Sequence, residues 1–87
     1  MLTYRFKNLE IRHQGKDYLT NGIAFYTIED YDEDGKEALF EKVELYDALG
    51  SQGYINDQES LTLFSDIVQA NLNQDSALCR SLGHKVY

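Results

Sequence analysis

The sequence predicts an α+β domain in which an N-terminal three-stranded antiparallel β-meander packs on two or three C-terminal helices. Apolar and polar residues alternate in the first third of the chain, and turn-forming residues separate the alternating runs. In the second half the apolar spacing becomes helical. The 87 residues, 43% of them apolar, suffice for one hydrophobic core. We therefore expect a single domain over residues 1–87.

The alternating segments predict three strands, at residues 2–13, 17–20 and 23–31. A one-residue slip in the alternation near Asn8 predicts a β-bulge in the first strand. Residues 14–17 predict a turn. Asn21 and Gly22 predict a hairpin between the second and third strands, because both residue types tolerate positive φ.

The third predicted strand is apolar on both faces. Ile23 and Phe25 point to one side, whereas Ala24, Tyr26 and Ile28 point to the other. Helices can cover one side, so the second side must meet a neighbouring loop or another molecule. We predict self-association as a homodimer, with Phe25 and Tyr26 in the interface.

Residues 36–49 favour a helix over a strand. The helical period gathers six apolar side chains on one side: Ala38, Leu39, Val43, Leu45, Tyr46 and Leu49. Gly50 then supplies a C-terminal cap. The competing interpretation is a strand that pairs with residues 23–31 through an Asp34-Gly35 turn, but strict alternation would place Glu41 among apolar residues.

Two further helices follow. The second helix begins near Asn56 or Asp57, and its apolar stripe consists of Leu61, Phe64, Ile67, Val68 and Leu72. A third, short helix at residues 75–82 has Asp75 as its N-cap and Gly83 as its terminator. Its inward-facing residues are Leu78, Cys79 and Leu82.

The net charge of -7 is concentrated in residues 29–47, which hold nine acidic and two basic residues. A local negative field attracts basic protein surfaces and repels nucleic acid, so we expect no direct nucleic-acid binding. The seven tyrosines add contact area suited to protein binding. The predicted partner-binding residues are Tyr31, Asp32, Glu33, Asp34, Glu37, Glu41 and Glu44. In size and charge the chain resembles small acidic inhibitors from phages and mobile elements, a likeness that assigns no residue a role.

An alternative function is Ca²⁺ binding. Asp30, Asp32, Asp34 and Glu41, with Gly35 between them, match the acidic positions and central glycine of the twelve-residue EF-hand loop. Positions eight and nine of that loop, however, are an acid and an alanine here, and the preceding segment predicts a strand instead of a helix.

Catalytic and cofactor motifs find no match in this sequence. His13 and His84 lie far apart, without ligands at metal-binding spacing, and Cys79 lies on an apolar stripe where a core role is expected. We therefore expect a non-catalytic protein without a cofactor. Because no apolar run reaches the length of a membrane span, we also expect no membrane association and a cytoplasmic location.

Overall fold

The structure is a computed structural model that describes residues 1–31 and 35–85. The predicted α+β class is confirmed: an antiparallel sheet is followed by helices. The elements are β1 (Leu2–His13), β2 (Lys16–Tyr31), β3 (Gly35–Gly50), β4 (Gly53–Ile55), α1 (Gln58–Gln74) and α2 (Ser76–Lys85). The four described strands form one sheet in the order β1-β2-β3-β4, so each strand pairs with the next in the chain.

The first strand and its bulge are confirmed. The pairing of β1 with β2 changes register between Phe6 and Leu9, and Asn8 between them has a φ of 56°. The predicted hairpin at Asn21 and Gly22 is wrong, because β2 continues straight through both residues. The two predicted strands at 17–20 and 23–31 are therefore one strand.

The chain does not turn at Asn21 because its side chain links three strands. The Asn21 amide oxygen accepts a hydrogen bond from the Asn8 backbone N–H at 2.9 Å, and its amide nitrogen donates to the Asp47 carboxylate at 2.6 Å. At Gly22 a Cβ would collide with the Glu44 carbonyl oxygen, so glycine allows close approach of β3 here instead of reversing the chain.

The helix predicted for residues 36–49 is wrong, since this segment is β3. Two register shifts in its pairing with β2 leave Glu41 and Tyr46 without opposite residues. Each bulge moves the alternation by one residue. The inward side chains are therefore Ala38, Phe40, Val43, Leu45 and Ala48, all of them buried. Strict alternation in a strand would place Glu41 among the apolar residues. The bulge takes this carboxylate out of the apolar row, so the segment can form a strand.

The two described helices cover one face of the sheet. In α1 the predicted apolar stripe is confirmed, with Asp57 as the N-cap that accepts a hydrogen bond from the Ser60 N–H. Asp75 caps α2 through the Leu78 N–H at 3.1 Å. Gly83 is not a terminator, because α2 continues through it to Lys85. The described helices are not long and apolar enough to cross a membrane.

Candidate protein-interaction groove

A groove of about 580 Å³ lies between β3 and the polar face of α1. We call it the β3–α1 groove. Its β3 side consists of residues 41–46. Its α1 side consists mainly of polar residues at helical spacing: Gln58, Thr62, Ser65, Asp66 and Gln69.

The groove follows the free edge of β3. On the side away from β2, β4 pairs only with residues 48–50 of β3. Alternate residues of an antiparallel strand present their N–H and C=O groups to the same side. We therefore expect the backbone groups of Val43 and Leu45 to face the groove, where they are available to an incoming strand.

One end of the groove is closed by side chains of α1. The Asn73 amide oxygen accepts a hydrogen bond from the Phe40 N–H at 2.8 Å, and the Asn73 amide nitrogen donates to the Phe40 carbonyl at 3.0 Å. Gln69 donates to the same carbonyl at 3.1 Å. Asn73 thus occupies the place of a strand partner at this residue, and the unpaired edge begins beyond it.

The groove is acidic. Glu41 and Asp66 contribute carboxylates, one from each wall. Glu44 and Lys42 also line the groove, but the strand alternation points their side chains to the other face of the sheet, where they form an ion pair at 3.0 Å. Asp66 was not among the predicted binding residues, because it comes from a helix 25 positions after Glu41 in the chain. Its place on the polar face of an amphipathic helix was the available signal, but nothing in the sequence indicated that this face lies along β3.

The predicted partner-binding residues are not all in one patch. Glu41 and Glu44 line the β3–α1 groove. Glu37 instead pairs with Arg80 of α2 at 3.4 Å, and its side chain is 22% exposed, so the fold already uses this carboxylate. The side chain of Tyr31 and residues 32–34 lie outside the described part of the chain.

The strand pairing separates two of the residues predicted to bind Ca²⁺. Asp30 lies opposite Lys36, and Glu41 lies five residues further along β3, roughly 16 Å away at the rise of an extended strand. An EF-hand loop brings its first and twelfth residues onto the same ion. This register keeps Asp30 and Glu41 apart, whereas Asp32 and Asp34 lie outside the described residues.

The two residues predicted for self-association lie on opposite faces of the sheet. Tyr26 is 6% exposed and its ring packs 5.5 Å from that of Phe40, beneath the helices. The prediction of Tyr26 as an interface residue is therefore wrong, because its side chain belongs to the core. Phe25, the preceding residue, points to the opposite face of the sheet from α1 and α2.

Cys79 and His13 both contact residues of the hydrophobic core. Cys79 is 5% exposed, as predicted for a core residue, and its Sγ donates to the Leu72 carbonyl at 3.3 Å. Burial raises the pKa of the Cys79 thiol, and the carboxylates of Glu37 and Asp75 raise it further. His13 packs edge-on against the Phe64 ring. Among the described residues, no three His, Cys, Asp or Glu side chains are grouped as metal ligands.

Comparison of the chain with protein-family models, curated proteins and solved structures finds no match. The geometry and charge of the β3–α1 groove are therefore the features that bear on function. Exposed carboxylates beside a free strand edge can bind a cationic group and accept backbone hydrogen bonds at the same time.

Proposed function

We propose that this chain is a non-catalytic protein-interaction or regulatory protein that binds a basic segment of a partner protein in the β3–α1 groove. The observation that carries the proposal is the combination of a free β3 edge with a carboxylate on each wall, Glu41 on one side and Asp66 on the other. The edge offers main-chain hydrogen bonds, and the acids select a positively charged segment.

The mode of binding follows from the shape of the groove. A segment in extended conformation can add to β3 as a further strand, because strand partners lie about 4.8 Å apart. Asn73 and β4 mark the two ends of the free edge, at Phe40 and Ala48. The groove therefore accepts roughly seven residues of a partner, the length of chain between these limits.

The test uses synthetic peptides of this length in which Lys or Arg alternates with Val. Fluorescence anisotropy measures binding, and NMR shows which backbone amides change. We expect a basic peptide to bind and to shift the amide signals of Val43 and Leu45, because strand addition forms hydrogen bonds there. Binding should weaken as salt is raised, since the walls and the peptide are oppositely charged.

Charge-reversal variants test whether the carboxylates on the two walls of the groove bind the peptide. Glu41→Lys combined with Asp66→Lys should raise the dissociation constant by about tenfold or more. Asp66→Lys alone should also weaken binding, and Glu59→Lys is its matched control, because Glu59 is an exposed acid of α1 that does not line the groove. The control should leave binding unchanged. The proposal fails if basic peptides bind equally to the double variant, or if none binds at roughly millimolar concentration.

A further inference from the structure

The sheet face opposite the helices carries large apolar side chains of β2. Ala24 and Tyr26 are buried under α1 and α2, so Ile23 and Phe25 point to the other side, which we call the outer face. Leu19 and Leu39 also lie on it, each 36% exposed. These four side chains are not among the described residues that form or pack against the core under α1 and α2, and they are large enough to form the centre of an interface.

Charged side chains border these apolar residues on both neighbouring strands. The pairing places Arg5 of β1, Ile23 of β2 and Glu44 of β3 side by side in one row across the sheet. Residues directly opposite in a sheet share a face, so all three side chains belong to the outer face. The next row contains Phe25 and Lys42, whose ammonium group lies 5.8 Å from the ring centroid. In the Arg5 row the β1 border is thus basic and the β3 border is acidic.

We propose that the outer face binds a second copy of this chain, with a two-fold axis that runs parallel to β2 over Ile23. Such an axis carries β1 of one copy onto β3 of the other. Arg5 then faces Glu44 of the partner subunit, and Glu44 faces the partner subunit's Arg5. A two-fold axis over Ile23 that ran perpendicular to the strands would instead place Arg5 against the partner's Arg5 and Glu44 against the partner's Glu44. Such contacts between like charges are unfavourable.

The size of the face sets the expected affinity. Three strands about 4.8 Å apart and about nine residues long span roughly 15 by 30 Å. Two such faces bury an area near the lower limit for specific protein complexes, so we expect a dissociation constant in the micromolar range. Lys42 and Glu44 lie at the border of both surfaces, whereas Asp66 and Glu41 line the β3–α1 groove and are not part of the outer-face rows. The groove therefore stays accessible along α1 in this dimer.

Analytical ultracentrifugation of the full chain, from roughly 10 µM to 1 mM, tests the interface. The parent should sediment as a dimer at the upper end of this range. Arg5→Glu alone and Glu44→Arg alone should each raise the dissociation constant about tenfold or more, because like charges then face each other. An equimolar mixture of the two variants should recover the parental dimer, since every reversed side chain then meets an opposite charge.

The control is Glu41→Arg, which makes the same charge change in the neighbouring bulge and should leave dimerisation unchanged. Circular dichroism melts establish that each variant folds. If a charge-reversal variant does not fold, the neutral variant at the same position, Arg5→Gln or Glu44→Gln, replaces it. A parent that is monomeric at the highest concentration overturns the proposal. So does a mixture that stays monomeric, or single reversals that dimerise like the parent. Peptide binding in the groove is measured separately, so either proposal can fail without the other.

Discussion

Replacement of Gly83 by alanine tests how α2 is seated on β3. Gly83 is buried within α2, and a Cβ at this position would collide with the Lys36 carbonyl oxygen and lie 2.9 Å from the Cα of Glu37. Both contacts are with backbone atoms, which cannot rotate away as a side chain can. The helix must therefore move away from the strand to accept the substitution.

Two effects of opposite sign compete in Gly83→Ala. Alanine in a helix interior is favoured over glycine by about 1 kcal/mol. Forcing an extra carbon into a packed contact typically costs about 1–3 kcal/mol, and a contact with backbone belongs at the upper end. The steric effect should win by about 2 kcal/mol, which lowers the melting temperature of a domain of this size by about 8–16 °C.

Thermal unfolding followed by circular dichroism measures the effect, with Ser81→Ala as the control. Ser81 is an exposed residue of the same helix, so alanine there should stabilise by about 0.5 kcal/mol through helix propensity alone. If Gly83→Ala melts at or above the parent temperature while Ser81→Ala behaves as expected, α2 does not contact β3 at this glycine and the reasoning is refuted.

Three further predictions concern the edge of β3, the start of α1 and calcium. Asn73→Ala should destabilise the fold by about 1–2 kcal/mol in urea titrations, because it removes two hydrogen bonds to Phe40, whereas Asn71→Ala, which removes an exposed bond within α1, should change stability little. Side-chain and backbone hydrogen bonds from Ser60 lower the pKa of the carboxyl of the cap residue Asp57, so the stabilising effect of this carboxylate is full above the unfolded pKa of about 3.9 and is lost as pH falls through the folded pKa. The melting-temperature difference between the parent and Asp57→Ala should therefore shrink in acid, and a constant difference would contradict this account. Calcium at roughly millimolar concentration should not shift the melting temperature, and a shift abolished by Glu41→Gln would restore the EF-hand interpretation.

Local chemistry in the sequence determined β1, its bulge and the two C-terminal helices. The stripe of α1 repeats at the helical period, and Asp57 and Asp75 are short acidic side chains that can accept from free N–H groups at a helix start. The slip near Asn8 is visible as a break in alternation. Each of these signals lies within a few residues of the element it defines, so no distant contact was needed to interpret it.

The tertiary structure alone decided the identity of β3 and, with it, the candidate interaction surfaces. The inward residues of β3 follow neither a strict strand period nor a helical one, because the bulges at Glu41 and Tyr46 interrupt the alternation. Those bulges depend on pairing with β2, where Asn21 bonds to Asp47 across the strands. The β3–α1 groove and the outer-face rows exist only once this register is set. Pairing between residues far apart in the chain sets the register, and such pairing leaves no local pattern in the sequence.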